Sequence, residues 1–281
     1  MVCPTCHTES GPSLFCYVCD PYLPPTSHGL KAGIPSRLGA FLLDGLFLLG
    51  VLVAVGAVNS ELPGQEATAV RVPFVGCASD GQNGPVPAPK GQERVMSIDA
   101  REAQGLAYYA ATFSGVLTTN SVVLAPRGWY CFGLYGSSGS TLLVTPQPIK
   151  SNELLSAAQR RFTGPVIGSS CISGITSGRF TVARIIARIF PAQAAFVQGV
   201  IREGVEPASD FPFGPYPKDK LTFQSDRIVE YQTPPRSEGL GTDCGWLKAN
   251  DSPINGAAIL QGGTPDLAIL NVRLPSGASH L

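Results

Sequence analysis

The chain of 281 residues contains few charged side chains and few histidines. Charged residues make up 14% of the sequence, against about 25% in an average soluble protein. The net charge is zero, so no overall basic field attracts nucleic acid. The only histidines are His7, His28 and His280. The large C-terminal part of the chain therefore has only the penultimate His280, which leaves a Ser-His-Asp or Cys-His mechanism there without a plausible base.

Motifs that bind nucleotides or present a nucleophile are also missing. The sequence has no P-loop and no dinucleotide-binding fingerprint. The segment GSSGS at 136–140 lacks the G-x-S-x-G spacing of a nucleophile elbow. These absences remove common enzyme classes without indicating which activity or ligand the protein has.

Eight cysteines are present, in two groups of four that lie on either side of a long apolar segment. The first group is Cys3, Cys6, Cys16 and Cys19, with the spacing C-x₂-C-x₉-C-x₂-C. The second group occurs singly, at Cys77, Cys131, Cys171 and Cys244. Because paired and single cysteines are typical of different redox compartments, this division predicts a membrane between the two groups.

The first group predicts a structural zinc site in residues 1–30. Each C-x₂-C pair places two thiolates on one tight turn, and two such turns can hold a tetrahedral Zn²⁺. Four protein ligands leave no open position for catalysis. Redox-active cysteines or disulfides are the alternatives. Residues 1–30 contain no lysine or arginine, so we expect this zinc ribbon or knuckle to contact a protein partner and not nucleic acid.

Residues 38–58 form an apolar segment with a single charge. As a helix it would measure about 31 Å, the thickness of the hydrocarbon core of a bilayer. A buried core helix fits less well because every face is apolar, and a signal peptide fits less well because 37 residues precede the segment. Lys31 and Arg37 lie before it and Glu61 and Glu66 after it. This bias predicts a single span with a cytoplasmic N-terminus.

The single charge is Asp44, and Arg37 lies two helical turns before it. The stretch PSRLGAFLLDGLFLLG resembles the first transmembrane helix of the RDD membrane family, which has an arginine before the helix and an aspartate inside it. A zinc ribbon before such a helix is a bacterial arrangement. The resemblance, confined to residues 3–58, implies a protein of the bacterial inner membrane. The family's further helices are absent here, so its activity is not carried over. Asp44 either snorkels toward Arg37 or marks a functional site.

The remaining chain reads as a polar linker at 59–73 and an extracytoplasmic α+β domain at 74–281, which the orientation of the anchor places in the periplasm. Four single cysteines in an oxidising compartment predict two disulfides, with three possible pairings. Proximity along the chain favours Cys77–Cys131 and Cys171–Cys244. Four buried free thiols are the alternative.

Hydrophobic periodicity and turn residues predict the elements of this domain. Helices are expected over 97–113, 152–162, 179–190 and 192–203. Strands are expected over 121–125, 130–135, 141–145, 221–223, 228–232, 257–260 and 267–274, with GSSGS as a hairpin loop.

Several polar and aromatic residues are candidates for a functional site. Asp226 and Glu230 flank a predicted strand start, Asp243 adjoins Cys244, and Asp80 and Asn83 are expected to form a turn. Trp129, Tyr130 and Phe132 surround Cys131, and packing on a disulfide explains them better than a stacking platform for sugars or peptides. The segment FPFGPYP at 211–217 is the best candidate for an exposed contact surface.

These observations favour a binding or interaction protein whose ligand the sequence does not indicate. One alternative is a carboxylate-dependent hydrolase, which would need two acids such as Asp80 and Asp226 about 5–10 Å apart. The other is a sensor that couples an external ligand to the zinc module through Asp44.

The division of the cysteines can be tested by counting thiols. We expect Cys3, Cys6, Cys16 and Cys19 to react with a thiol reagent only after a chelator removes the metal, because thiolates bound to zinc are protected. Metal analysis of the full chain should find one zinc ion per chain. Four thiols that react at the same rate with and without chelator would contradict the zinc site.

Overall fold

The computed structural model describes residues 68–113, 120–149, 162–243 and 246–275. The four expected zinc ligands, the apolar segment with Arg37 and Asp44, and most of the helix expected at 152–162 lie outside these residues. Within the described part of the chain, no helix is both long enough and apolar enough to cross a membrane.

The described residues form a mixed α+β domain that is mostly sheet. The strands are β1 Thr68–Val72, β2 Phe74–Cys77, β3 Ser79–Gly81, β4 Arg94–Ile98, β5 Leu106–Thr112, β6 Asn120–Pro126, β7 Tyr130–Gly136, β8 Gly139–Thr145, β9 Val166–Ile172, β10 Lys220–Phe223, β11 Ile228–Thr233, β12 Ile254–Gln261 and β13 Asp266–Arg273. The helices are α1 Ala100–Gly105, α2 Arg179–Ile189, α3 Ala194–Arg202 and α4 Leu240–Asp243, with 3₁₀ turns at Pro191–Gln193 and Ala208–Asp210.

One large sheet contains eight strands in the order β10-β11-β12-β13-β9-β8-β7-β3. Its neighbours are antiparallel except β3, which pairs with β7 in parallel. A second sheet has the order β2-β5-β6, and β1 pairs with β4 in a separate ribbon. The strands at the centre of the large sheet, β13 and β9, pair over seven residues.

Both faces of the large sheet are apolar. On one face, α2 and α3 pack against β11, β12 and β13 through a cluster that includes Ile186, Val200 and Ile269. On the other face, the three-stranded sheet packs against β8, β9 and β13, with Tyr109 and Leu142 in the shared core. The ribbon of β1 and β4, together with α1, covers the outer face of the three-stranded sheet. Alternation along the strands sends successive side chains into these separate layers.

The two sheets are joined covalently. The chain passes from β2 to β3 at Ala78 and so leaves the small sheet for the large one. Directly before this crossing, Cys77 forms a disulfide with Cys131 on β7, with an S–S distance of 2.06 Å. This is one of the two pairs that proximity along the chain favours. Cys171 lies on β9, and Cys244 lies outside the described residues.

Two sequence predictions are wrong and four further strands were missed. The helix expected over 97–113 is confined to α1, capped by the Asp99 carboxylate, and β5 follows at once. Residues 106–112 are extended because they bond to β2 on one side and β6 on the other. Residues 68–72, expected in a linker, form β1 and pair with β4. The missed strands are β2, β3, β4 and β9. The sequence of β9, VIGSSCI, lacks a clear alternation.

Removing the link between the sheets should destabilise the domain. We expect a Cys77→Ala/Cys131→Ala variant to lose about 2–4 kcal/mol in free energy of unfolding, because the unfolded chain gains the entropy of an open loop. Urea denaturation of the variant and of the wild type, with and without reductant, measures this difference. Reductant should lower the stability of the wild type by more than that of the variant, because only the wild type has the Cys77–Cys131 bond to lose. Equal stabilities without reductant would contradict a structural role for this disulfide.

Candidate functional site

Residues 211–217 form a loop between the 3₁₀ turn Ala208–Asp210 and β10, and we refer to it as the aromatic–proline loop. Phe211 anchors its beginning, with 2% of its surface exposed, in the core under α2 and α3. Phe213, two residues later, is 50% exposed. Pro212, Pro215 and Pro217 are exposed as well. The loop therefore presents one large apolar side chain and three rigid prolines to solvent.

The last turn of α2 holds the middle of this loop. The Gly214 N–H donates to the Ala187 carbonyl oxygen at 2.9 Å. The Arg188 guanidinium donates from Nη1 to the Gly214 carbonyl oxygen at 3.2 Å. The same guanidinium lies over the Tyr216 ring, 4.1 Å from its centroid, in a cation–π contact. Arg188 thus holds the loop in two ways, through the backbone of Gly214 and through the aromatic ring of Tyr216.

The end of the loop is held by a carboxylate on α4. The Tyr216 hydroxyl donates to Asp243 Oδ2 at 2.9 Å. Partial burial, together with the charge and hydrogen bond of Asp243, raises the pKa of Tyr216 from 10.0 to about 12, and the nearby Arg188 opposes this shift. The tyrosine therefore stays neutral and keeps donating its proton throughout the physiological range.

A second carboxylate, Asp219, positions α4 itself. Its Oδ1 accepts from the Thr233 hydroxyl and its Oδ2 from the Leu240 N–H, both at 2.8 Å. The carboxylate thus caps the first turn of α4, where backbone N–H groups have no partner within the helix. A Cβ at position 239 would overlap Asp219 Oδ1, so Gly239 is required there. Burial raises the pKa of Asp219, although the two hydrogen bonds and Arg188 act in the opposite direction.

The acids suggested for a hydrolase do not share this region. Asp80 lies on β3 at one edge of the large sheet, and Asp226 lies in the turn between β10 and β11 at the other edge. About six strand spacings of roughly 4.8 Å separate them along the sheet. Glu230 is buried on β11, and Asp80 accepts from the Gly81 N–H beside a turn that includes Asn83. Of the acids that the sequence analysis named, only Asp243 contacts the aromatic–proline loop, through Tyr216.

The aromatic residues around Cys131 divide between the two faces of β7. Trp129 and Cys131 pack against the core between the sheets, which also contains Cys77. Phe132 packs in the cluster on the opposite face. Tyr130 is 50% exposed at the start of β7. Packing beside the disulfide therefore accounts for Trp129 but not for all three aromatic residues.

Two further features were not expected from the sequence. Arg273 at the end of β13 is only 1% exposed and donates to the carbonyl oxygens of Phe162 and Lys248. Burial lowers its pKa, and within the described residues its Nε has no hydrogen-bond partner. An open groove of about 500 Å³ lies beside Arg71, Phe74 and Glu93. It is shallow and open to solvent.

The described residues contain no group of three or more histidine, cysteine or acidic side chains that could hold a metal ion. No protein-family model, no curated protein and no solved structure matches the chain. The resemblance of residues 3–58 to a zinc ribbon and an RDD-type helix stays a prediction.

The hydrogen bond from Tyr216 to Asp243 predicts a specific dependence on pH. We expect Tyr216→Phe to cost about 0.5–1.5 kcal/mol in free energy of unfolding near pH 7. Above pH 10 the tyrosine ionises in the unfolded chain before it ionises in the folded protein, so the wild type loses stability as the pH rises from 10 to about 12. Tyr216→Phe has no such loss. The difference in free energy of unfolding between the two proteins should therefore shrink as the pH rises from 10 to about 12. Urea denaturation at a series of pH values measures it.

Asp243→Asn provides the matched control for this titration. The amide keeps a hydrogen-bond acceptor but removes the negative charge that raises the pKa of Tyr216. A pH titration followed by tyrosine absorbance should show that one tyrosine ionises at lower pH in this variant than in the wild type. Identical titration curves would contradict the contact between the two side chains.

Proposed function

We propose that the protein is a binding protein anchored in the bacterial inner membrane, and that the aromatic–proline loop is its contact surface. In this proposal residues 1–30 form a cytoplasmic zinc ribbon, residues 38–58 cross the membrane, and the α+β domain lies in the periplasm. The cysteine spacing, the length of the apolar segment and the flanking charges support this placement.

The observation that carries the proposal is the contrast between the fixed backbone of the loop and its exposed side chains. Phe211, Arg188 and Tyr216 hold the loop in place, yet Phe213 between them points to solvent. A loop that is already ordered loses little conformational entropy when a partner binds. Aromatic side chains are also enriched at the buried centres of protein interfaces, where most of the binding energy is found. Rigid presentation of an aromatic side chain is therefore suited to recognition.

The surface of the loop favours a protein partner with an apolar pocket. Phe213 offers an aromatic ring that can enter such a pocket, and Pro212 and Pro215 flank it with rigid apolar surface. The loop offers solvent no charged side chain between positions 211 and 217. Charge recognition at the loop itself would therefore be weak, and the affinity would come from apolar contact.

Site-specific photo-crosslinking in intact cells tests the contact surface. A benzophenone amino acid at Pro212 should give a defined adduct, whereas the same probe at Val95, which is exposed on β4, should not. Phe213→Ala should lower the yield of the Pro212 adduct by about ten-fold, because loss of an aromatic anchor costs more than 1 kcal/mol of binding. Equal adducts at Pro212 and Val95, or a yield that Phe213→Ala does not change, would contradict the proposal.

A further inference from the structure

Strand β10, Lys220–Phe223, is an edge of the eight-stranded sheet. Within the described residues its only neighbouring strand is β11. Three of its four residues are exposed, and Phe223 is 58% exposed although it is a large aromatic side chain. Open edges with exposed apolar side chains are surfaces to which another strand can add.

The hydrogen bonds of the neighbouring strands show which groups of β10 face outward. The Leu260 N–H donates to the Arg227 carbonyl oxygen at 2.9 Å, so odd-numbered residues of β11 bond to β12. The Gln224 N–H donates to the Ile228 carbonyl oxygen at 2.9 Å, so even-numbered residues of β11 bond toward β10. Because bonding alternates along an antiparallel strand, the N–H and C=O groups of Leu221 and Phe223 point away from the sheet.

We propose that a second copy of this chain pairs with β10, antiparallel and about a two-fold axis through Thr222. In this register Leu221 faces Phe223 of the second copy, and Phe223 faces Leu221 of the second copy. Each facing pair exchanges two backbone hydrogen bonds, which makes about four for the interface. No other symmetric register uses both outward-facing residues of each strand, because β10 ends at Lys220 and Phe223.

The side chains also fit a second copy. Leu221 and Phe223 point to the same face of the sheet, so each Phe223 ring would be covered by Leu221 of the second copy. The interface is separate from the aromatic–proline loop and goes beyond the proposed function.

Cysteine crosslinking of the full chain in native membranes tests the pairing. On the axis, Thr222 faces its own copy with Cβ atoms about 4.5–5.5 Å apart, close enough for a disulfide after a small adjustment. Gln224→Cys is the matched control, because two such cysteines would lie about 14 Å apart, four residues along antiparallel strands. Under mild oxidation, Thr222→Cys should give at least about ten-fold more covalent dimer than Gln224→Cys or the wild type. Equal yields from the three proteins would overturn the proposal.

Two further variants separate this register from nonspecific collision. Phe223→Pro removes an outward N–H without touching the bonds to β11, and it should abolish the crosslink at position 222 while the urea midpoint changes little. Phe213→Ala should leave the crosslink unchanged, so failure of the loop proposal can be told from failure of this one. A crosslink at position 222 that survives Phe223→Pro would overturn the pairing.

Discussion

The domain is organised around strands that are buried on both faces of one sheet. In β13 the run Leu267, Ala268, Ile269 and Leu270 is exposed by no more than 4% at any position. Since successive side chains point to opposite faces, each face needs a separate cover. Helices α2 and α3 cover one face and the three-stranded sheet covers the other. The small sheet in turn needs the β1–β4 ribbon on its own outer face. The layered arrangement thus follows from one doubly buried strand.

Sequence patterns predicted elements well where local signals and tertiary packing agree. Helices α2 and α3 and strands β10 to β13 lie within a few residues of their predicted positions, and the GSSGS segment turns between β7 and β8 as expected. The pattern at 97–113 misled because alanine and tyrosine suit either a helix or a buried strand. There the hydrogen bonds to β2 and β6 decide the conformation. Strand β9 was missed because small polar residues occupy its centre, where β8 and β13 supply the partners.

The candidate site, too, was only partly predictable from local sequence signals. Its composition of phenylalanine and proline was sufficient to suggest an exposed contact surface at 211–217. Its support was not predictable, because Arg188, Asp219 and Asp243 come from separate elements and match no motif. Arg273 is a further case, since a charged residue at the end of a strand usually faces solvent. Its burial depends on carbonyl groups near positions 162 and 248, which only the fold brings together.

The bond between Cys77 and Cys131 has a topological consequence. It closes a covalent ring with a sequence separation of 54, which contains β3, β4, α1, β5 and β6. A protease that cuts once inside this ring does not divide the polypeptide, because the two parts stay joined through sulfur. Such a nicked molecule would migrate as an intact chain until reductant separates its fragments. The same ring keeps the small sheet within reach of the large one even when their shared core opens.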